Sequence, residues 1–201
     1  MVDEIDGRDG DIVTKLGYAA YDKEFSIGLH GDFDINDVIA FFATEGTCIF
    51  STEPDKKYEF QVLEQIDFER LIRFRTATVK MHVQPFKHSA VEKPLTFNTT
   101  NADSVTVTNV GNTTSKPTIT ITGGGTISLS LNNYQVFTIS LGTEGYITID
   151  AEAMNAYKDD VLKNRLVAGD YDHFVFNVGD NVITWTGNVT EITVERYSRW
   201  I

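Results

Sequence analysis

Hydrophobic and polar residues alternate along most of this chain, and Gly, Asn, Asp and Pro clusters interrupt the alternation. The pattern predicts short β-strands joined by turns. Over Tyr21–Leu29 the residues Tyr21, Lys23, Phe25, Ile27 and Leu29 share one face of a half-buried strand. The stretch DINDVIAFFATEG then breaks the period and predicts a helix. Asp34 caps it, Asp37 lies in its first turn, and Ile35, Val38, Ile39 and Phe42 form one apolar face directed at the core. Gly46 is expected to end it. Two further strands flank a turn at Glu53-Pro54-Asp55-Lys56. From Arg70 to Val83, Ile72, Phe74, Thr76 and Thr78 hold one strand face before Val79, Met81 and Val83 take over, a slip that reads as a β-bulge near Ala77–Thr78.

Val79–Leu95 ends this pattern. Pro85 and Pro94 are nine residues apart, and proline gives no ladder N–H, so the chain is expected to turn at Gln84-Pro85 and restart at Lys93-Pro94. The stretch is read as a hinge between two β-rich modules, residues 1–88 and 89–201. In the second, Val105 and Val107 alternate with threonines, and Ile119 and Ile121 share a face after Lys116-Pro117. Gly123–Gly125 reads as a hairpin turn into Ile127, Leu129 and Leu131, and Asn132-Asn133 as another turn. Ile147 and Ile149 alternate with Tyr146, Thr148 and Asp150. One helical turn is expected at Glu152–Tyr157, a strand after Gly179-Asp180-Asn181, and a last strand over Glu191–Tyr197. Short strands spaced by turns predict an all-β sandwich.

Composition is that of an ordinary globular protein, 41% hydrophobic and 23% charged. The net charge of −12 is spread over both modules: residues 1–93 hold 11 basic and 18 acidic side chains, the remainder 6 and 11. Neither module suits phosphate-backbone binding. The single cysteine, Cys48, excludes an internal disulfide and reads as a buried, inert thiol. No stretch reaches the length of an apolar membrane span, and no basic-then-apolar leader opens the sequence, so Sec export is not expected. The sequons at Asn98, Asn112 and Asn188 accordingly read as products of a Thr- and Asn-rich composition.

Candidate chemistry is sparse. The opening EIDGRDGDI makes tight turns at Gly7 and Gly10, and neither Asp3 nor Asp6 starts a calcium loop with the required glutamate at its end. Gly123–Gly125 lacks the lysine and helix of a phosphate-binding loop. His30, His82, His88 and His173 show no metal-ligand spacing. Asp170, Asp172 and His173, with Asp150, could supply a glycosidase-type carboxylate pair, but an Asp-rich loop of this kind is read first as a solvated turn. Tyr134, Phe137, Phe174, Phe176 and Trp185 offer either a sugar-stacking platform or a sandwich core, and the core reading is favoured for Trp185. Arg70, Arg73 and Arg75, with Glu64, Asp67 and Glu69 nearby, read as a solvated or intersubunit strand face. No catalytic, cofactor-binding or metal-binding residue is assigned.

The order of GRDG (Gly7–Gly10), a strand, a short amphipathic helix, Phe50, Pro54, Asp55 and Tyr58, then Val83, Pro85, Phe86 and Lys87 resembles the N-terminal domain of the distal tail (Dit) proteins of long-tailed phages. Asn109–Gly123, Tyr146–Asp150, Gly179–Trp185 and the terminal RYSRWI resemble their C-terminal galectin-like, or carbohydrate-module-like, sandwich. In that family several dozen residues supplying further strands precede the GRDG turn. Here six residues precede Gly7, so the first module is expected to lack its first strands and to leave open sheet edges. The resemblance implies a virion structural protein, not an enzyme: a homo-oligomeric, hexameric ring built through the N-terminal domain. Such a ring joins the tail tube to the tail-tip or receptor-binding apparatus of a phage or prophage, as a baseplate hub, with no cofactor, no membrane and no specific nucleic-acid partner. An acidic lumen would not retain passing DNA. The rival reading is a carbohydrate-binding β-sandwich with an accessory domain.

Overall fold

Alternation carries directly into strands over most of the chain. The structure, a computed structural model, describes residues 17–42, 45–99 and 102–201 together with the backbone of 2–3 and 12–13. The turns at Gly7 and Gly10, the carboxylate of Asp6 and the side chain of Asp3 lie outside the described residues. The fold is mainly β, with antiparallel sheets and two short α-helices among the described residues. It divides into two compact units: Met1–Cys48 with Tyr58–Pro85, and Ile49–Lys57 with Phe86–Ile201.

The first unit contains β1 (Val2–Asp3) paired with β2 (Ile12–Val13). It continues through β3 (Tyr21–Gly28), α1 (Ile35–Phe42), β4 (Glu45–Cys48), the last five residues of β5 (Lys56–Val62), α2 (Phe68–Phe74) and the first ten residues of β6 (Thr76–Ser89). Its main sheet runs β3-β6-β5-β4. Ala77, Val79, Met81 and Val83 on alternate positions of β6 are buried with Tyr58, Ile66 and Leu71.

Four expectations are corrected here. The helix at Asp34 forms, with Asp34 Oδ1 accepting from the Asn36 N–H at 2.7 Å, but its apolar face is only half-buried. Gly46 does not end it; Gly46 is inside β4, opposite Phe60. Arg70–Arg75 is not a strand. Asp67 caps α2 by accepting from the Arg70 N–H at 2.9 Å, and Phe68, Leu71 and Ile72 stand at helical spacing, so the apparent bulge is a helix-to-strand junction. From Thr76 onward β6 pairs with β3 residue for residue, without a bulge.

Nor does the chain turn at Gln84-Pro85, which lies inside β6. On that edge of β6, β3 covers residues up to Val83, and the next partner begins at Lys87, so the missing N–H of Pro85 falls where no strand is bonded. Lys93-Pro94, by contrast, does separate β6 from the next strand.

The second unit begins its sheet with β7 (Leu95–Asn98), β8 (Ser104–Asn109), β9 (Thr118–Leu131), β10 (Tyr134–Gly142) and β11 (Tyr146–Asp150). It adds β12 (Asn155–Lys158), β13 (Val161–Leu162), β14 (Val167–Gly169), β15 (Gly179–Glu195) and β16 (Arg199–Trp200). Two long strands, β9 and β15, pair over the whole of β9, from Thr118 opposite Glu195 to Leu131 opposite Ile183, and bend together. Their first and last portions, respectively, join β11, β12, β13 and β7; their other portions join β10, β14 and β8. The two half-sheets contribute Ile119, Ile121, Ile147, Ile149, Ile192 and Val194 on one side and Ile127, Leu129, Phe137, Ile139 and Ile183 on the other to one buried core. Strands that switch half-sheets at a bend are how such corners are made.

The bend explains a further correction. Gly123–Gly125 is not a hairpin but the middle of β9, where β15 slips register between Thr186 and Asn188 and again between Val189 and Glu191. The hairpin at Asn132-Asn133 does form, both residues having positive φ (49° and 68°), as a two-residue primed turn requires. Glu152–Tyr157 is not helical: Met154 turns the chain (φ 51°) into β12. The strands expected after Asn181 and over Glu191–Tyr197 are one strand, β15.

Candidate interaction surface

The first unit leaves polar backbone and apolar side chains uncovered. Among the described residues β3 and β4 each pair on one side only, so both outer edges of the sheet are open. The eight-residue edge of β3 is charged. Asp22 meets His82 Nδ1 at 2.8 Å and Lys80 Nζ at 3.4 Å, and the His82 hydrogen bond, aided by Lys80, holds its carboxyl below the ordinary value of 3.8. The four-residue edge of β4 presents Glu45, which accepts from Gln61 Nε2 at 2.7 Å.

Elsewhere in the unit Phe41 on α1, Leu63 after β5, and Ile72 and Phe74 on α2 are exposed by 75, 67, 63 and 68%. Isolated exposed apolar residues are ordinary, and each of these four keeps more than 60% of its surface in water. A cavity of about 190 Å³ opens between α1 and the segment joining β5 to α2, lined chiefly by Ile39, Phe42, Val62, Leu63, Ile66 and Phe68. The sequence pattern hid Ile72 and Phe74 by allowing them a strand face; the signal that finds them is Asp67 three residues before Arg70, a helix cap. Arg70 and Arg73 are exposed on α2, and Arg75, in the left-handed region at its end (φ 56°), donates to the Gly31 carbonyl at 3.0 Å.

The residues singled out for chemistry are scattered or structural. Asp170 closes its own loop: Oδ1 accepts from the N–H groups of Asp172 (3.0 Å) and His173 (3.2 Å), and Oδ2 meets His173 Nδ1 at 2.6 Å. The His173 bond holds the Asp170 carboxyl below its ordinary value. Asp150 closes another turn, accepting from Glu152 and Ala153 at 2.8 Å each. Of the five aromatics, Phe137, Phe174, Phe176 and Trp185 are core residues. Only Tyr134 is exposed, stacked on His173 at 4.5 Å, so these aromatics make no platform.

Cys48 is half-buried rather than buried, and burial pushes its thiol pKa up, away from nucleophilic character. Among the described residues no cluster of three or more His, Cys, Asp or Glu is placed to hold a metal ion, and no helix is long and apolar enough to cross a membrane.

No protein-family model and no curated protein matches the chain. Among solved structures, the crystal structure of the Dit (gp 19.1) protein of phage SPP1, described as a paradigm of the hub adsorption apparatus in phages infecting Gram-positive bacteria, matches with a TM-score of 0.68. The match covers 97% of this chain and 86% of that one, at 18% sequence identity. The chain therefore has a Dit-like fold over nearly its whole length.

Proposed function

We infer that this protein is a structural component of a phage or prophage tail tip, a distal tail hub in the virion that links the tail tube to the adsorption apparatus. The observation that carries the reading is the fold likeness across 97% of the chain to a protein described as a hub adsorption apparatus. On this reading residues 1–88 form a ring, a hexamer, and residues 89–201 form a galectin-like sandwich that docks tail-tip or receptor-binding proteins; the protein performs no catalysis.

The first unit supplies a physical reason for assembly. Its two edges left open among the described residues, β3 and β4, differ in length and side chains, and a contact between unlike surfaces runs head to tail, closing into a ring where the rotation allows, rather than forming a two-fold dimer. Exposed Phe41, Leu63, Ile72 and Phe74 supply the apolar area that such a contact buries.

Mass photometry and negative-stain microscopy of the purified protein test this. The expected result is annular particles of six copies, dispersed to monomers by the double replacement Ile72→Glu and Phe74→Glu. A protein that stays monomeric at tens of micromolar, without annular particles, would overturn the ring.

A further inference from the structure

The last residues of the chain, 196–201, touch three segments of the second unit that lie far apart in sequence. Arg199 and Trp200 of β16 pair with His88 and Lys87, and Ser89 donates to the Ser198 carbonyl at 3.3 Å. On another side, Asn112 donates its N–H to the Arg199 carbonyl at 3.2 Å and accepts from the Ile201 N–H on its side chain at 2.9 Å. The Arg199 guanidinium lies 4.3 Å from the centre of the Phe86 ring and donates to the Thr114 carbonyl at 2.5 Å. The third segment is Ile49–Lys57: Lys56 Nζ sits 3.7 Å from the centre of the Trp200 ring. Lys87 and Ala90 tie that segment down further, bonding Glu53 (3.0 Å) and the Asp55 carbonyl (2.9 Å).

One carboxylate holds the arrangement. Glu92, its side chain only 10% exposed, accepts from the Ser198 N–H at 2.9 Å and the Ser198 hydroxyl at 2.7 Å, and lies 3.1 Å from Arg196 Nε. Hydrogen bonds to an ionised acceptor are about twice as strong as neutral ones. A two-residue strand by itself holds little. Tyr197, between Arg196 and Ser198, has a left-handed backbone (φ 48°), which a non-glycine residue keeps only when its neighbours are fixed. None of residues 196–201 belongs to the apolar core; Ser198 is buried, and Arg196 is held by polar contacts, its carbonyl accepting from Ser115 Oγ at 2.7 Å and its guanidinium donating to the Thr108 carbonyl at 3.3 Å, so the tail can lift by exchanging hydrogen bonds rather than by dismantling the apolar core.

We propose that residues 196–201 form a strap that fastens two passes of the chain, Ile49–Lys57 and 86–92, to the second unit, and that Glu92 is its catch. The inference is independent of the tail-hub reading. With the strap shut, Lys56, Lys57 and Lys87 are held; with it open, both passes are loose. Glu92→Gln removes the negative charge beside the half-buried Arg196, whose other acceptor is the Thr108 carbonyl at 3.3 Å, and sets an amide N–H2 against one of the two Ser198 donors, which favours the open form.

Limited trypsinolysis of the full chain, with cleavage sites read by mass spectrometry, tests the strap. In Glu92→Gln, and in a chain ending at Tyr197, cleavage after Lys56, Lys57 and Lys87 is expected to accelerate about tenfold or more, in proportion to the population of the open form. Cleavage after Arg165, remote from the strap and exposed, is expected not to change. Should the shortened chain fail to fold by circular dichroism, Glu92→Gln, nearly isosteric, decides alone. Unchanged rates at Lys56, Lys57 and Lys87, or equal acceleration at Arg165, would overturn the proposal.

Discussion

Gly123 and Asn188 lie back to back where β9 and β15 bend together: a Cβ on Gly123 would collide with the Asn188 carbonyl and stand 3.1 Å from the Cα of Val189. The obstacle is backbone on a paired strand, which has nowhere to move. Gly123→Ala is therefore expected to destabilise the protein by about 2 kcal/mol or more. Gly125 meets no atom but has φ +74°, so Gly125→Ala should cost only the left-handed penalty of about 1–2 kcal/mol. Urea unfolding of both variants checks the order; equal costs would contradict the bend.

Asn181, fully buried, organises the turn that opens β15. Its amide donates to the carbonyls of Asn177 (2.8 Å) and Gly179 (2.9 Å), and its oxygen accepts from Asn177 N–H (2.9 Å) and Asn132 Nδ2 (3.0 Å). Asn181→Ala leaves several of these groups unpaired in the interior and should cost about 3 kcal/mol. Asn181→Asp should do no better, since it buries a charge and loses both donors. Chemical denaturation monitored by Trp185 fluorescence measures both.

Asp67→Ala should destabilise the first unit by about 1 kcal/mol through loss of the α2 cap, and Asp67→Asn should recover most of it. A strand over these residues would leave the first substitution nearly neutral. Hydrogen exchange at the amide of Arg70 reads the cap directly, and should quicken in the alanine variant alone.

Acid should weaken the fold through depressed carboxylates. The carboxyls of Asp22 (bonded to His82), Asp170 (bonded to His173) and Glu144 (bonded to Lys163) all titrate below their ordinary values of 3.8, 3.8 and 4.5. The unfolded chain thus takes up these protons first. Their contribution is complete above the ordinary values and is lost as pH falls from there through the lower folded values. Melting temperature recorded between pH 5 and 2 should drop less steeply for Asp22→Asn or Asp170→Asn than for the parent.

Tyr197 supplies the alkaline counterpart. Burial first, then its hydrogen bond to Glu195, raises its hydroxyl from 10.0 to about 12. A raised pKa contributes stability that is complete below pH 10 and disappears as pH climbs through the folded value. Ultraviolet titration should show a late-ionising tyrosine that vanishes in Tyr197→Phe.

Much of this fold was legible without coordinates. Period-two burial was readable at Ile119 and Ile121, at Ile147 and Ile149, and at Val79, Met81 and Val83, because one face of a strand must leave water. The Asn132-Asn133 hairpin was readable too, because both asparagines tolerate positive φ. Local chemistry also placed the start of α1 at Asp34, though not how little of its face would be covered.

Other features were settled only by neighbours from elsewhere in the chain. Ile72 and Phe74 fit two periods at once, and the Asp67 cap with the buried Leu71 selected the helix. A glycine run serves a turn or a bulge equally well, and the backbone of Asn188 made it a bulge. Pro85 stays in a strand because no partner is bonded to it there. The same holds for function: Phe137, Phe174, Phe176 and Trp185 are alike as a sugar platform or a core until two half-sheets close over them. Periodicity records which side of an element avoids water; what meets that side is a property of the assembled chain.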